Sequence, residues 1–161
     1  YDDQTLFEFL ILETFQAGLS WITILRKREN FRKAFHQFDY HKIAEYDTKK
    51  EEALLLDAGI IRNKLKVKSA ISNAQAFIRV QKEFGSFSKY MWSFVNHQPI
   101  INHFKSMSEI PAKTALSDAF SKDLKKRGFK FVGSTVIYAH MQACGMVNDH
   151  IVTCFRHPKE K

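Results

Sequence analysis

The chain has 161 residues, 45% of them hydrophobic and 26% charged, which excludes a disordered chain and suits one core that needs no disulfide staples. Two cysteines exclude a secreted disulfide framework, and no apolar run approaches the ~20 residues of a membrane span. Lys and Arg total 25 against 17 Asp and Glu; the net +8 favours polyanionic partners, nucleic acid first. We therefore expect a soluble intracellular protein.

Helical periodicity dominates. Residues 3–16 read as a helix, with Leu6, Phe9, Leu10 and Glu13 on or near one stripe. Gly18 interrupts, and a second helical run goes from Trp21 to about Phe35. Asp39 opens a short helix anchored by Ile43. Thr48 stands three residues before Glu51, the capping-box spacing, and predicts a helix that stops near Gly59. Asn63 to about Phe84 is a long helix with Val67, Ala70, Ile71, Ala74 and Phe77 inward, ended by Gly85. Ser88–Val95 is a short helix, and residues 96–114 form a loop. Ser117–Lys126 and Gly133–Cys144 are helices either side of a turn at Gly128, with Gly145 as a C-terminal cap. Asn148 or Asp149 is placed to cap a last short helix carrying His150 and Cys154. The pattern predicts an all-α protein, one compact domain over residues 1–161.

Three features carry chemistry. The first is the stretch Lys125–Ser134, where Lys125, Lys126, Arg127 and Lys130 surround two glycines between helices. A helix that follows Gly133 presents free backbone N–H groups and a positive dipole end, an anion site suited to a phosphate. The second is Glu13 beside Phe15-Gln16-Ala17-Gly18-Leu19-Ser20-Trp21. A buried carboxylate needs a partner or a task, and an aromatic face attracts a cation, so the pair suits a flipped cationic base. A capping Glu13 and a core Trp21 are the plainer alternative. The third is His150 with Cys154, four apart, one nitrogen and one sulfur donor for zinc, or simply a surface histidine and a buried thiol. No Walker-type phosphate loop and no GxSxG elbow occurs. A non-catalytic DNA-binding module and a scaffold for an acidic partner remain open on these features alone.

Four blocks together resemble the DNA-3-methyladenine glycosylase I family, a branch of the helix–hairpin–helix DNA glycosylases. They are Glu13–Trp21, Trp92–Pro99, Lys125–Gly133 and Met141–His150, in the family's order over essentially the whole chain. The resemblance implies excision of 3-methyladenine from alkylated double-stranded DNA, with the free base as product, no lyase activity, and a monomer in the bacterial cytosol with no membrane contact. It assigns Glu13 as the catalytic, base-binding glutamate and Trp21 as the stacking tryptophan. It assigns DNA contacts to Gln16, Gly18, Leu19, Lys126, Arg127, Gly128, Lys130, Gly133 and Ser134. His150 and Cys154 match two of four structural zinc ligands. In the family a further N-terminal segment supplies the other cysteine and histidine and pocket aromatics including a tyrosine. Tyr1 does not align with that tyrosine, and we expect the natural N-terminus to lie upstream. The family is not expected to use Asp149, which lies downstream of the hairpin, as the common aspartate of the superfamily.

Overall fold

The structure, a computed structural model, describes residues 2–158; Tyr1 lies outside them. Helix α1 (Asp3–Gln16) starts where the Asp2 carboxylate accepts the Thr5 N–H, and from Leu6 to Phe15 every residue but the half-buried Phe9 is buried. Its apolar residues point to several sides because α2 (Trp21–Ala34) and three helices that follow later in the chain pack around it. Asp39 caps α3 (Tyr40–Ala44) as expected. Helix α4 (Thr48–Leu56) is capped by Asp47, not Thr48: the carboxylate one position earlier takes the Lys50 N–H at 2.8 Å, so Thr48 becomes the first helical residue.

Helix α5 (Lys64–Phe84) is capped by Asn63 and ended by Gly85 in the left-handed conformation. Its inward stripe meets α1, α3, α4 and α6 (Phe87–Ser93). Phe77 stacks on Phe87 at 4.3 Å and meets Phe7 edge-on at 5.1 Å, which ties three helices together. Thr114 and Ser117 form a reciprocal cap that starts α7 (Ala115–Lys126) two residues before the expected Ser117. A short connection leads to α8 (Ser134–Ala143), which packs back on α7 and on α1. Among the described residues no helix is long and apolar enough to cross a membrane.

The expected last helix does not form. Instead β2 (Val147–Asn148) pairs in parallel with β1 (Ile100–Ile101) inside the predicted loop, through Ile100 N–H to Met146 O and Asn102 N–H to Asn148 O, both 2.9 Å. That pairing holds the backbone of 146–148 extended, and the Asp149 carboxylate is taken by side chains rather than by a helix N-terminus. Residues 151–157 then run as turns. The protein is nonetheless all-α in class.

Candidate active site

Glu13 sits one turn before the end of α1, only 4% exposed. Among the described residues its carboxylate has no hydrogen-bond or ion-pair partner, and burial alone pushes its pKa up from 4.5 to about 7. Asp2, Leu6, Phe9 and Glu13 follow one another at helical spacing along one face. The first three, with Thr5, Ala143 and Cys144, line a cavity of about 280 Å³ between the start of α1 and the end of α8. Cys144 is close enough to Glu13 for the carboxylate to act on it: burial first, then that charge, raises the thiol to about 12 and keeps it neutral. Behind it His140 is wholly buried, and desolvation lowers its pKa to about 4, so it is neutral as well.

A four-residue turn carries the chain from α1 into α2. Gly18 takes φ +81°, and a Cβ there would meet nothing within 4 Å, so backbone conformation rather than crowding selects glycine. The Gln16 amide donates to Leu19 O at 2.8 Å and Leu19 N–H donates to Gln16 O at 2.7 Å, which closes the turn and leaves the Leu19 side chain exposed. Ser20 caps α2, whose first residue is Trp21, half-buried against the core. The turn therefore places Trp21 at the same end of the α1–α2 pair as Glu13.

Between α7 and α8, Gly128 stands at φ +96° and Phe131 at φ +56°. The connection is held from inside: Ser121 Oγ donates to Val132 O at 2.6 Å, and the hydroxyls of Ser117 and Ser134 lie 2.7 Å apart. Gly133 gives α8 no side-chain cap, so no side chain takes the amides of its first turn, and Lys126 and Lys130 in the same connection are exposed. Arg127, an expected DNA contact, is engaged within the protein itself. Its guanidinium binds Asp123 and Glu83, both at 2.7 Å, and lies 4.9 and 5.0 Å from the rings of Phe84 and Tyr90. Carboxylates and aromatic faces on α5, α6 and α7 have taken it.

His150 and Cys154 come together without a helix, Sγ to Nδ1 3.7 Å. Among the described residues no group of three or more His, Cys, Asp or Glu is arranged to hold a metal. The Asp149 carboxylate accepts from the Tyr138 hydroxyl, the Gln142 amide at 2.9 Å and the Asn102 amide at 2.6 Å.

Two polar side chains near the site carry no signal in residue type alone. Lys66 belongs by sequence to a basic cluster with Arg62, Lys64 and Lys68, yet it is buried. Asn73 is buried completely. Helical phase was the available clue, since both fall on the same face as Ala70, Ala74 and Phe77.

A basic hairpin between two helices, in an all-helical protein that buries an acid in a third helix, is the architecture of a helix–hairpin–helix DNA glycosylase. The methyladenine glycosylase family model matches residues 1–157, and the chain belongs to that family. It is similar to DNA-3-methyladenine glycosylase 1 of Escherichia coli strain K12, 52% identical over 160 residues that cover 99% of this chain and 86% of the relative. A crystal structure of 3-methyladenine DNA glycosylase I, 53% identical, superposes with a TM-score of 0.94 over 98% of this chain and 86% of that one. A single-residue variant of a 3-methyladenine DNA glycosylase I in complex with 3-methyladenine, 34% identical, gives 0.96 over 100% of this chain and 87% of that one.

Proposed function

We propose that this chain flips 3-methyladenine out of double-stranded DNA and hydrolyses its glycosidic bond, acting as a monomer in the bacterial cytosol. The observation that carries the reading is Glu13: a buried carboxylate with no partner among the described residues, close to the cavity-lining Cys144, in a member of the methyladenine glycosylase family. N3-methylation leaves the base cationic and therefore a good leaving group, so little acid catalysis is needed. Extrusion costs a few kcal/mol of unstacking, least for a weakly paired damaged base. Trp21 stacks on the cationic ring. Glu13 accepts a hydrogen bond from the exocyclic amine, and the cation opposite it favours the ionised carboxylate that burial alone resists. Water adds to the anomeric carbon, the carbon–nitrogen bond breaks with its electron pair going to the base, and the proton of water passes to solvent.

Gln16, Gly18 and Leu19 face the gap left by the flipped nucleotide. Lys126, Lys130 and the first turn of α8, with Gly128, Gly133 and Ser134 shaping it, hold the phosphates. Lys66, which the fold brings to the end of α1, spends its amine on two carbonyls and offers no free nucleophile, consistent with hydrolysis without strand cleavage.

A structural zinc fits the chemistry of His150 and Cys154, whose donor atoms already lie within reach of one ion. It would supply a cross-link and no catalytic step. Metal analysis tests this: the His150→Ala chain should hold less zinc than the unaltered one, and equal content rejects the assignment.

The activity is tested by release of free base from methylated duplex DNA. Release of 3-methyladenine, abolished by Glu13→Gln, is expected. Duplex binding with no release and no preference for damage supports a non-catalytic DNA-binding module instead.

A further inference from the structure

We propose that α5 sets the spacing between the lesion-facing turn and the phosphate-binding hairpin, and that Lys66 and Asn73 are the two positioning residues through which it does so. This rests on the reading of those two segments as DNA-facing.

The Lys66 ammonium is 7% exposed and donates to Phe15 O at 2.9 Å and Ala17 O at 2.8 Å. Those carbonyls close the last turn of α1, the negative end of its dipole, so a cation is tolerated there without a carboxylate. The contact fixes the helix end that bears Glu13 and the first residue of the turn to Trp21. Asn73, wholly buried, clamps the hairpin at two points. Its amide donates to Lys130 O at 3.1 Å, and its carbonyl oxygen accepts the Lys130 N–H at 2.8 Å. Phe131, at the tip, is held in the left-handed region next to that clamp.

Both side chains use their polar atoms on the main chain of another element, 49 and 57 residues away in sequence. They stand seven positions apart, so they share a helix face two turns and about 10 Å apart. An α-helix does not stretch, so the distance from the turn to the hairpin is set by its rise. A packed apolar residue at either position would avoid the cost of burying a polar group. What the polar pair adds is a fixed place for two backbones. Base flipping needs that: the turn must enter the stack at the nucleotide whose flanking phosphates the hairpin grips, and a misplacement of about 1 Å costs rate steeply.

The test separates the two anchors by what each should change. Single-turnover excision at saturating enzyme, affinity for undamaged duplex across a salt series, and melting temperature are measured for K66M, K66R, N73L and N73D. K66M should lower the saturating rate by about tenfold or more with undamaged-duplex affinity unchanged, and K66R should restore it. N73L and N73D should weaken duplex binding by about tenfold, with the saturating rate retained. K66Q, which keeps a donor but not the reach, covers the case in which K66M does not fold, and should shift the rate in the same direction. Losses confined to melting temperature, or one parameter falling alike for both positions, would overturn the proposal. If the unaltered protein binds undamaged duplex without salt dependence, it is the DNA-facing reading that fails, and the proposal with it.

Discussion

The Tyr138 hydroxyl donates to the carboxylate of Asp149, and the amides of Gln142 and Asn102 donate to the same group. Three donors from α8 and from the strand β1 side converge on one buried acid, which holds the C-terminal segment onto the helices. An acid so occupied has little capacity left to activate water or steady a developing charge. Asp149→Asn should therefore act on stability, because an amide NH₂ then faces donors it cannot accept from. We expect a loss of about 1–3 kcal/mol in denaturant unfolding, with the single-turnover excision rate retained below the melting transition. A rate collapse in a folded Asp149→Asn chain would make Asp149 part of the chemistry.

Glu13 differs in having no donor at all among the described residues. Its pKa near 7 in the free protein predicts an excision rate at subsaturating enzyme that rises with pH through that value as the carboxylate ionises and can meet the cationic base. Glu13→Gln should lose about a hundredfold or more in rate and lose the rising limb as well. A pH–rate series on both chains checks this. A Gln variant with the same limb would assign it to another group.

The same shift has a thermodynamic side. The folded chain holds the Glu13 proton more tightly than the unfolded chain, whose pKa is near 4.5. Stability from this group is fully present below the unfolded value and is lost as pH rises through about 7, by up to about 3 kcal/mol. His140 works in the opposite sense, since its depressed pKa costs stability as pH falls below its ordinary 6.5. The two slopes oppose each other in the unaltered protein. The difference between Glu13→Gln and the unaltered chain isolates Glu13, and the Gln variant should be the more stable at about pH 8 and close to equal at about pH 4. Urea unfolding at the two pH values measures it, and a constant difference would contradict the burial of a charged Glu13.

Several structural features of this candidate site were legible in the residues. Glu13 stood out because a carboxylate in an apolar stripe is costly, and the glycines at 18 and 128 marked turns that do adopt positive φ. Helix limits were close wherever a cap residue was unambiguous, as at Asn63 and Gly85. The C-terminal helix failed because the parallel pairing of β1 with β2 joins segments 47 residues apart, and a two-residue strand leaves no periodicity to read. The internal partners of Arg127 were illegible for a related reason. Within a run of Lys and Arg its charge looks like its neighbours', and only the tertiary positions of Glu83, Phe84 and Tyr90 show that it turns inward.

That divergence within one basic run yields a contrast between neighbours. Lys126 and Lys130 are exposed beside the uncapped start of α8, so each is free to release a counterion on binding DNA. Lys126→Ala and Lys130→Ala should weaken duplex binding uniformly across sequences, with melting temperature unchanged. Each should also flatten the log affinity–log salt slope by about 0.9 for every phosphate that is no longer neutralised. Arg127→Met should do the reverse. Removal of the guanidinium strips Asp123 and Glu83 of their cation and Phe84 and Tyr90 of its packing, and we expect a loss of about 1–3 kcal/mol in unfolding with the salt slope unaltered. Asp123 keeps the Tyr90 hydroxyl at 2.6 Å, which softens the loss and keeps the variant folded enough to assay. Fluorescence titrations of labelled duplex across a salt series, paired with urea unfolding, separate the two behaviours. An Arg127→Met chain of normal stability with a flattened slope would return Arg127 to the phosphate-binding face.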